Sequence, residues 1–125
     1  MSKESLRLGK AGEERAAGLL RENGYRILAT NYKTKFAEID IIAKDKDTIC
    51  FVEVKTRSQD SFGEPKEAVT AAKQRKIYLA ALQFLKEKNS LDSKARFDVV
   101  SILDLEGKTR SEIIKNAFEC EGEDV

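Results

Sequence analysis

The chain has 125 residues, 41% of them hydrophobic and 36% charged, with 23 lysines and arginines against 22 acids, no histidine and two cysteines, enough for one modest core and too few for two. The lack of histidine excludes His-based triads, His zinc sites and a His general base, so any hydrolytic chemistry must use carboxylates, lysine, tyrosine, serine or an oxygen-held metal. No apolar run approaches the roughly 18 residues of a membrane span, MSKESLRLGKAGEE lacks the apolar core of a signal peptide, and Cys50 and Cys120 have no CxxC spacing, so a cytoplasmic protein with ordinary reduced thiols and no membrane partner is expected.

SLRLGKAGEERAAGLLRENG predicts a first helix, starting after Ser2 or Ser5 and stopping at Asn23-Gly24. Glu13 shares the i, i+3, i+4, i+7 stripe with Ala16, Ala17 and Leu20, which turns its carboxylate toward the inward face. The alternative is an edge-of-core glutamate reaching for water. YRILATNY, EIDIIAKD and TICFVEVKT then read as three strands of an antiparallel meander. A long helix is expected from about Pro65 to Lys88, with Val69, Ala72, Ile77, Ala80, Ala81 and Phe84 on its apolar face. RFDVVSILDL predicts a further strand, parallel to the third through the intervening helix. SEIIKNAF fits a short strand or a helix. The expected class is α/β, in the order α-β-β-β-α-β, with residues 1–118 as one domain and 119–125 as a frayed acidic tail. That tail, ECEGEDV, holds four acids, which leaves 23 bases against 18 acids, a net +5, over residues 1–118. Such a surplus permits a polyanion partner without requiring one.

In EIDIIAKDKDTICFVEVKTR, residues 38–57, charged groups stand in runs that otherwise read as strands covered on both faces. Alternation groups Ile49, Phe51, Glu53 and Lys55 on one face of the third strand, with Cys50, Val52 and Val54 on the other. In the second strand it groups Glu38, Asp40 and Ile42 against Ile39, Ile41 and Ala43. Centring the connection on Lys46-Asp47 sets Asp40 opposite Glu53 and Glu38 opposite Lys55. Directly opposed acids destabilise a sheet, a conflict that a divalent cation between them, or protonation of one, would remove.

Asp40 followed by Glu53-Val54-Lys55 resembles the D…(D/E)-x-K signature of the restriction-endonuclease-like nucleases. G-x-x-G-E at Gly9 to Glu13, N-Y at 31–32, E-I-D at 38–40, F-V-E-V-K-T-R at 51–57, K-Q-x-K at 73–76 and R-F-D-V-V at 96–100 extend the likeness. Together, from Leu8 to Phe118, they resemble the small bacterial YraN-type family, related to Holliday-junction resolvases. The resemblance implies a mixed central sheet flanked by helices. It further implies Mg²⁺ or Mn²⁺ held by Asp40, Glu53 and the Val54 carbonyl, with Glu13 completing the site and Lys55 orienting water or steadying the phosphate. Gln74 and Tyr78 match a Q-x-x-x-Y pattern of some nuclease relatives, and Lys73, Arg75, Lys76 and Arg57 would contact nucleic-acid phosphates, unless the helical basic residues simply form a solvated face. The family has Gly where this chain has Ala37, which bears on loop shape. Phe62, in SQDSFGEP, is a candidate base-stacking group, although the segment also reads as a plain connecting loop. Asp98 is expected to organise structure with Arg96. These readings converge on a metal-dependent phosphodiesterase acting on DNA, branched DNA included, with a homodimer implied by resolvase kinship. The alternatives are a non-cutting nucleic-acid binder of the same fold and an accessory protein acting through a protein partner.

Overall fold

The computed structural model describes residues 3–58, 69–105 and 107–119. Seven elements follow in chain order: α1 (Lys3–Glu22), β1 (Arg26–Lys33), β2 (Glu38–Asp45), β3 (Thr48–Ser58), α2 (Ala71–Glu87), β4 (Lys94–Leu105) and β5 (Lys108–Phe118). The ambiguous SEIIKNAF is a strand, β5, paired antiparallel to β4. The sheet order is β1-β2-β3-β4-β5. β1, β2 and β3 form the antiparallel meander, and β4 runs parallel to β3 because α2 carries the chain back across the sheet.

The two helices cover opposite faces. Ala16, Ala17 and Leu20 of α1 pack with Ile41, Cys50, Val52 and Val100, while Ile77, Ala80 and Phe84 of α2 pack with Ile42, Phe51 and Val99. This mixed sheet between two helices is the restriction-endonuclease-like architecture.

The helix ends follow local rules. Gly24, at φ 87, closes α1 with two bonds, Tyr25 N–H to the Leu20 carbonyl at 3.0 Å and Gly24 N–H to that of Arg21 at 3.1 Å, as a glycine in the left-handed region permits. α2 starts later than the sequence suggests. Thr70 caps it by accepting the Lys73 N–H at 3.2 Å, and a β-region cap residue ends the helix on that side. Val69 is therefore buried ahead of the helix rather than on its face, and Pro65 lies outside the described residues.

Gly12 sets how closely α1 approaches the sheet: a Cβ there would stand 2.7 Å from Thr56 Oγ1, so the glycine lets the first helix lie against β3. At the far end of the sheet Asp98, fully buried, accepts from Arg96 Nε at 3.0 Å, Tyr25 Oη at 3.0 Å and the Asn116 N–H at 2.9 Å. Arg96 also donates to Asp45 at 2.6 Å. Asp98 is thus a structural acid, and its satisfied network meets the requirement for burying a charge.

Candidate active site

The β2–β3 register is the expected one, with Ile41 opposite Val52, Ile42 opposite Phe51 and Asp45 opposite Thr48. The paired residues stop at Ile41 and Val52, one step short of Asp40 and Glu53. Beyond that point the Asp40 side chain replaces a ladder rung: its Oδ2 accepts the Val54 N–H at 2.8 Å.

Simple alternation fails around Asp40. Ile39 and Ile42, expected on opposite faces, both pack in the α2-side cluster, while Ile41 lies with α1. The neighbouring strand is irregular as well. β1 shifts register between Ile27 and Ala29 and holds Asn31 at φ 49, a conformation that Asn tolerates better than most residues. Asn31 also joins two acids, its Nδ2 donating to Glu13 Oε2 at 3.0 Å and to Glu38 Oε1 at 3.1 Å. Glu38 therefore bonds Asn31 in β1, where the straight register would have set it opposite Lys55.

Glu53 is 2% exposed. Its Oε2 stands 3.3 Å from Lys73 Nζ, on the first turn of α2. Its Oε1 is buried with no hydrogen-bond partner among the described residues. Burial, reinforced by the charge of Asp40 and opposed by Lys73 and Lys55, pushes the Glu53 carboxyl up to about 7. Asp40 is raised as well, by burial and the Glu13 charge, against the Val54 N–H bond and the two lysines. Lys55 is lowered by burial and by its contact with Lys73. For Lys73 burial opposes the charge, but Glu53, Lys55 and Asp40 outweigh it and the net shift is upward. Two acids that resist ionisation thus share a small volume with two ammonium groups, one favoured and one disfavoured.

An open cavity of about 510 Å³ reaches this group, lined by Asp40, Glu53, Lys73 and Lys76 with Phe36, Ala37, Glu38, Thr70 and Ala72. Among the described residues no group of three or more His, Cys, Asp or Glu side chains is arranged to hold a metal ion. Asp40 and Glu53 line the cavity with Glu38, which bonds Asn31, and Glu13 also faces Asn31 while its charge acts on Asp40.

The remaining candidates are spread. Lys76 is exposed on the cavity rim and Arg75 is exposed beside it on α2. Gln74 donates to the Val69 carbonyl at 2.9 Å and so ties down the segment entering α2. Tyr78 is half-buried one turn further along, and Arg57 is half-buried on β3 two residues past Lys55. Phe62 and the acidic stretch 120–125 lie outside the described residues. Ala37 has no positive φ. Its N–H donates to Thr34 Oγ1 at 3.1 Å and its carbonyl accepts the Thr34 N–H at 3.0 Å, so the β1–β2 turn closes without glycine.

Three features escaped the sequence reading. The N-Y motif marked Asn31 without suggesting its bridge between Glu13 and Glu38. Lys73 stood among basic residues assigned to phosphates, although it lies four residues before Ile77 on the stripe that α2 buries, and its Nζ reaches Glu53. Phe36, on the cavity wall with Lys35 Nζ 5.2 Å from its ring centre, carried no signal beyond preceding A-E-I-D.

Comparison with known proteins gives one consistent result. A family model described as "Uncharacterised protein family UPF0102" matches residues 12–102. A UPF0102 protein of Syntrophus aciditrophicus (strain SB) is 52% identical over 117 residues, 93% of this chain and 91% of that one. One from Desulforapulum autotrophicum is 45% identical over 121 residues, covering 97% of this chain and all of the relative. One from Geobacter sulfurreducens is 48% identical over 113 residues, 90% and 88% of the two chains. With the nuclease-like fold and the D…ExK hairpin already described, these matches place the chain in the UPF0102 family, the YraN-type proteins.

Proposed function

We propose that the protein is a divalent-metal-dependent phosphodiesterase acting on DNA, branched DNA included, in the cytoplasm. The observation that carries this reading is Glu53: a carboxylate 2% exposed, with one oxygen lacking a hydrogen-bond partner among the described residues, lining an open cavity with a second acid, Asp40. The buried acid pair is only partly offset by Lys73 and Lys55, and a hard cation would relieve the remaining cost.

The donor set suits such an ion. Asp40 Oδ1, Glu53 and the Val54 carbonyl would hold Mg²⁺ or Mn²⁺, both oxygen-seeking. In an extended strand a residue's N–H and C=O point to the same side, so the Val54 carbonyl is directed toward Asp40 as its N–H is. When bound, the ion would activate water and offset charge at the phosphate. The protein's own groups supply the rest. Lys55, its ammonium disfavoured by burial and by Lys73, is poised to exchange a proton at Nζ with the attacking water or the phosphate oxygen. Asn31 fixes Glu13 and Glu38 beside Asp40. Lys76 on the rim supports phosphate contact, and Phe36 offers an aromatic face to a neighbouring base. The homodimer implied by resolvase kinship belongs to the same reading.

A second reading, nucleic-acid binding without hydrolysis, is favoured by one observation: Lys73 already neutralises part of the acid pair. The deciding experiment incubates the protein with duplex, single-stranded and four-way-junction DNA, in Mn²⁺ or in chelator. Cleavage in Mn²⁺ alone, abolished by Asp40→Asn with Glu53→Gln, is expected. DNA bound but uncut in Mn²⁺ would overturn the enzymatic reading in favour of the binder.

A further inference from the structure

Lys73 holds an unusual position. Thr70 starts α2 by accepting the Lys73 N–H, and Lys73 stands four residues before buried Ile77, on the side of the helix that meets the sheet. Its Nζ then lies 3.3 Å from Glu53 Oε2, yet the side chain remains 43% exposed against 3% for the acid. It also borders the open cavity together with Lys76. Around Asp40 and Glu53 stand two ammonium groups, Lys55 and Lys73, while the charge of Glu13 also acts on Asp40.

A divalent cation seated on the acid pair would bring further positive charge beside both ammonium groups, and the ammonium contact on Glu53 Oε2 would compete with it for the same carboxylate. Lys73 can yield most easily. Its stem is flexible, its head is partly solvated, and the cavity beside it is open to water. Glu53 Oε1, without a hydrogen-bond partner among the described residues, remains available to an entering ion while Lys73 still holds Oε2.

We infer that Lys73 is an exchangeable internal counter-ion: it occupies Glu53 in the ion-free protein, is displaced into the cavity by the divalent cation, and so sets the affinity of the site. This inference rests on the metal-site reading above. It assigns Lys73 to the carboxylate rather than to phosphate contact, and it gives the site an ion-dependent switch in the position of one cation.

The test is calorimetric titration of the full chain with Mn²⁺ at pH 8, comparing wild type with Lys73→Met, Lys73→Gln and Lys73→Arg, with folding of each confirmed by circular dichroism in chelator. Loss of a half-exposed cation from direct contact with the ligand should tighten Mn²⁺ binding about fivefold to tenfold, a difference on the order of 1 kcal/mol. Lys73→Gln repeats the measurement should Lys73→Met fail to fold. Lys73→Arg, which keeps the charge, should stay within about twofold of wild type. If wild type binds Mn²⁺ and the uncharged variants bind it equally or more weakly, the counter-ion role is overturned while the metal site stands. If neither wild type nor any variant binds Mn²⁺, both fall.

Discussion

Replacing Glu53 by Gln removes a charge from a position 2% exposed to solvent while nearly preserving its shape. In the ion-free chain burial and the charge of Asp40 push this carboxyl from 4.5 up to about 7. The folded chain thus holds the proton more tightly than the unfolded one. The contribution to stability is complete below the unfolded value and is lost as pH rises through the folded value. At about 1.4 kcal/mol per unit, the loss approaches 3 kcal/mol above pH 7 and stays under about 1 kcal/mol at pH 5. The attraction of Lys73 is already contained in the value near 7.

An amide cannot ionise, so the stability difference between variant and wild type should swing by roughly 2 to 3 kcal/mol between pH 5 and pH 8. Placing an amide NH₂ where Oε1 lacks a partner among the described residues costs about 1 to 2 kcal/mol at either pH. Glu53→Gln should therefore be neutral or mildly destabilising at pH 5 and stabilising by about 1 to 2 kcal/mol at pH 8. With an unfolding entropy of about 2.1 cal/mol/K per residue, the swing corresponds to roughly 10 °C in the difference of melting temperatures. Thermal melting in chelator at the two pH values reads it directly, and adding Mn²⁺ at pH 8 should raise the wild type alone. A Tm difference that stays constant from pH 5 to pH 8 would show that Glu53 ionises as an ordinary partner of Lys73, and the reasoning from its burial would fail.

Much of the architecture is legible in the sequence because its determinants are local. Asn23-Gly24 stops α1, and the tight connection at Lys46-Asp47, with Lys46 at φ 57, fixes the β2–β3 register. The acid, the ExK strand and the helix-borne Glu13 follow from that register and from helical spacing. What resists reading depends on contacts between distant segments. SEIIKNAF is resolved as a strand by its pairing with β4 and by the bond from Asn116 to buried Asp98. The phase slip at Asp40, across from Asn31 at φ 49 in β1, is announced by no pattern within EIDIIAKD. Lys73 reads as one basic residue among several until its contact with Glu53 singles it out, and α2 begins at the Thr70 cap, whereas Pro65 suggested a helix start several residues earlier.

Gly12→Ala should cost about 1 to 2 kcal/mol in urea unfolding, because its Cβ would press on Thr56 Oγ1, and Thr56→Ala in the same chain should recover most of that loss; no recovery would mean that α1 is held off the sheet by other contacts. Asp98→Asn should cost about 3 kcal/mol, since it strips the charge that faces Arg96 at a fully buried position, and a change below about 1 kcal/mol would contradict the structural role of that network. Asn31 separates backbone from side chain. Asn31→Ala loses both carboxylate bonds and places a Cβ-bearing residue without Asn's local compensation at φ 49, a strain of about 1 kcal/mol, whereas Asn31→Gly loses the same bonds but relieves the backbone. Glycine should therefore be the more stable variant, yet both should release Glu13 and Glu38 and lower Mn²⁺-dependent cleavage equally. If cleavage recovers together with stability in Asn31→Gly, the side chain does not organise the acids, and Asn31 is there only for its left-handed backbone.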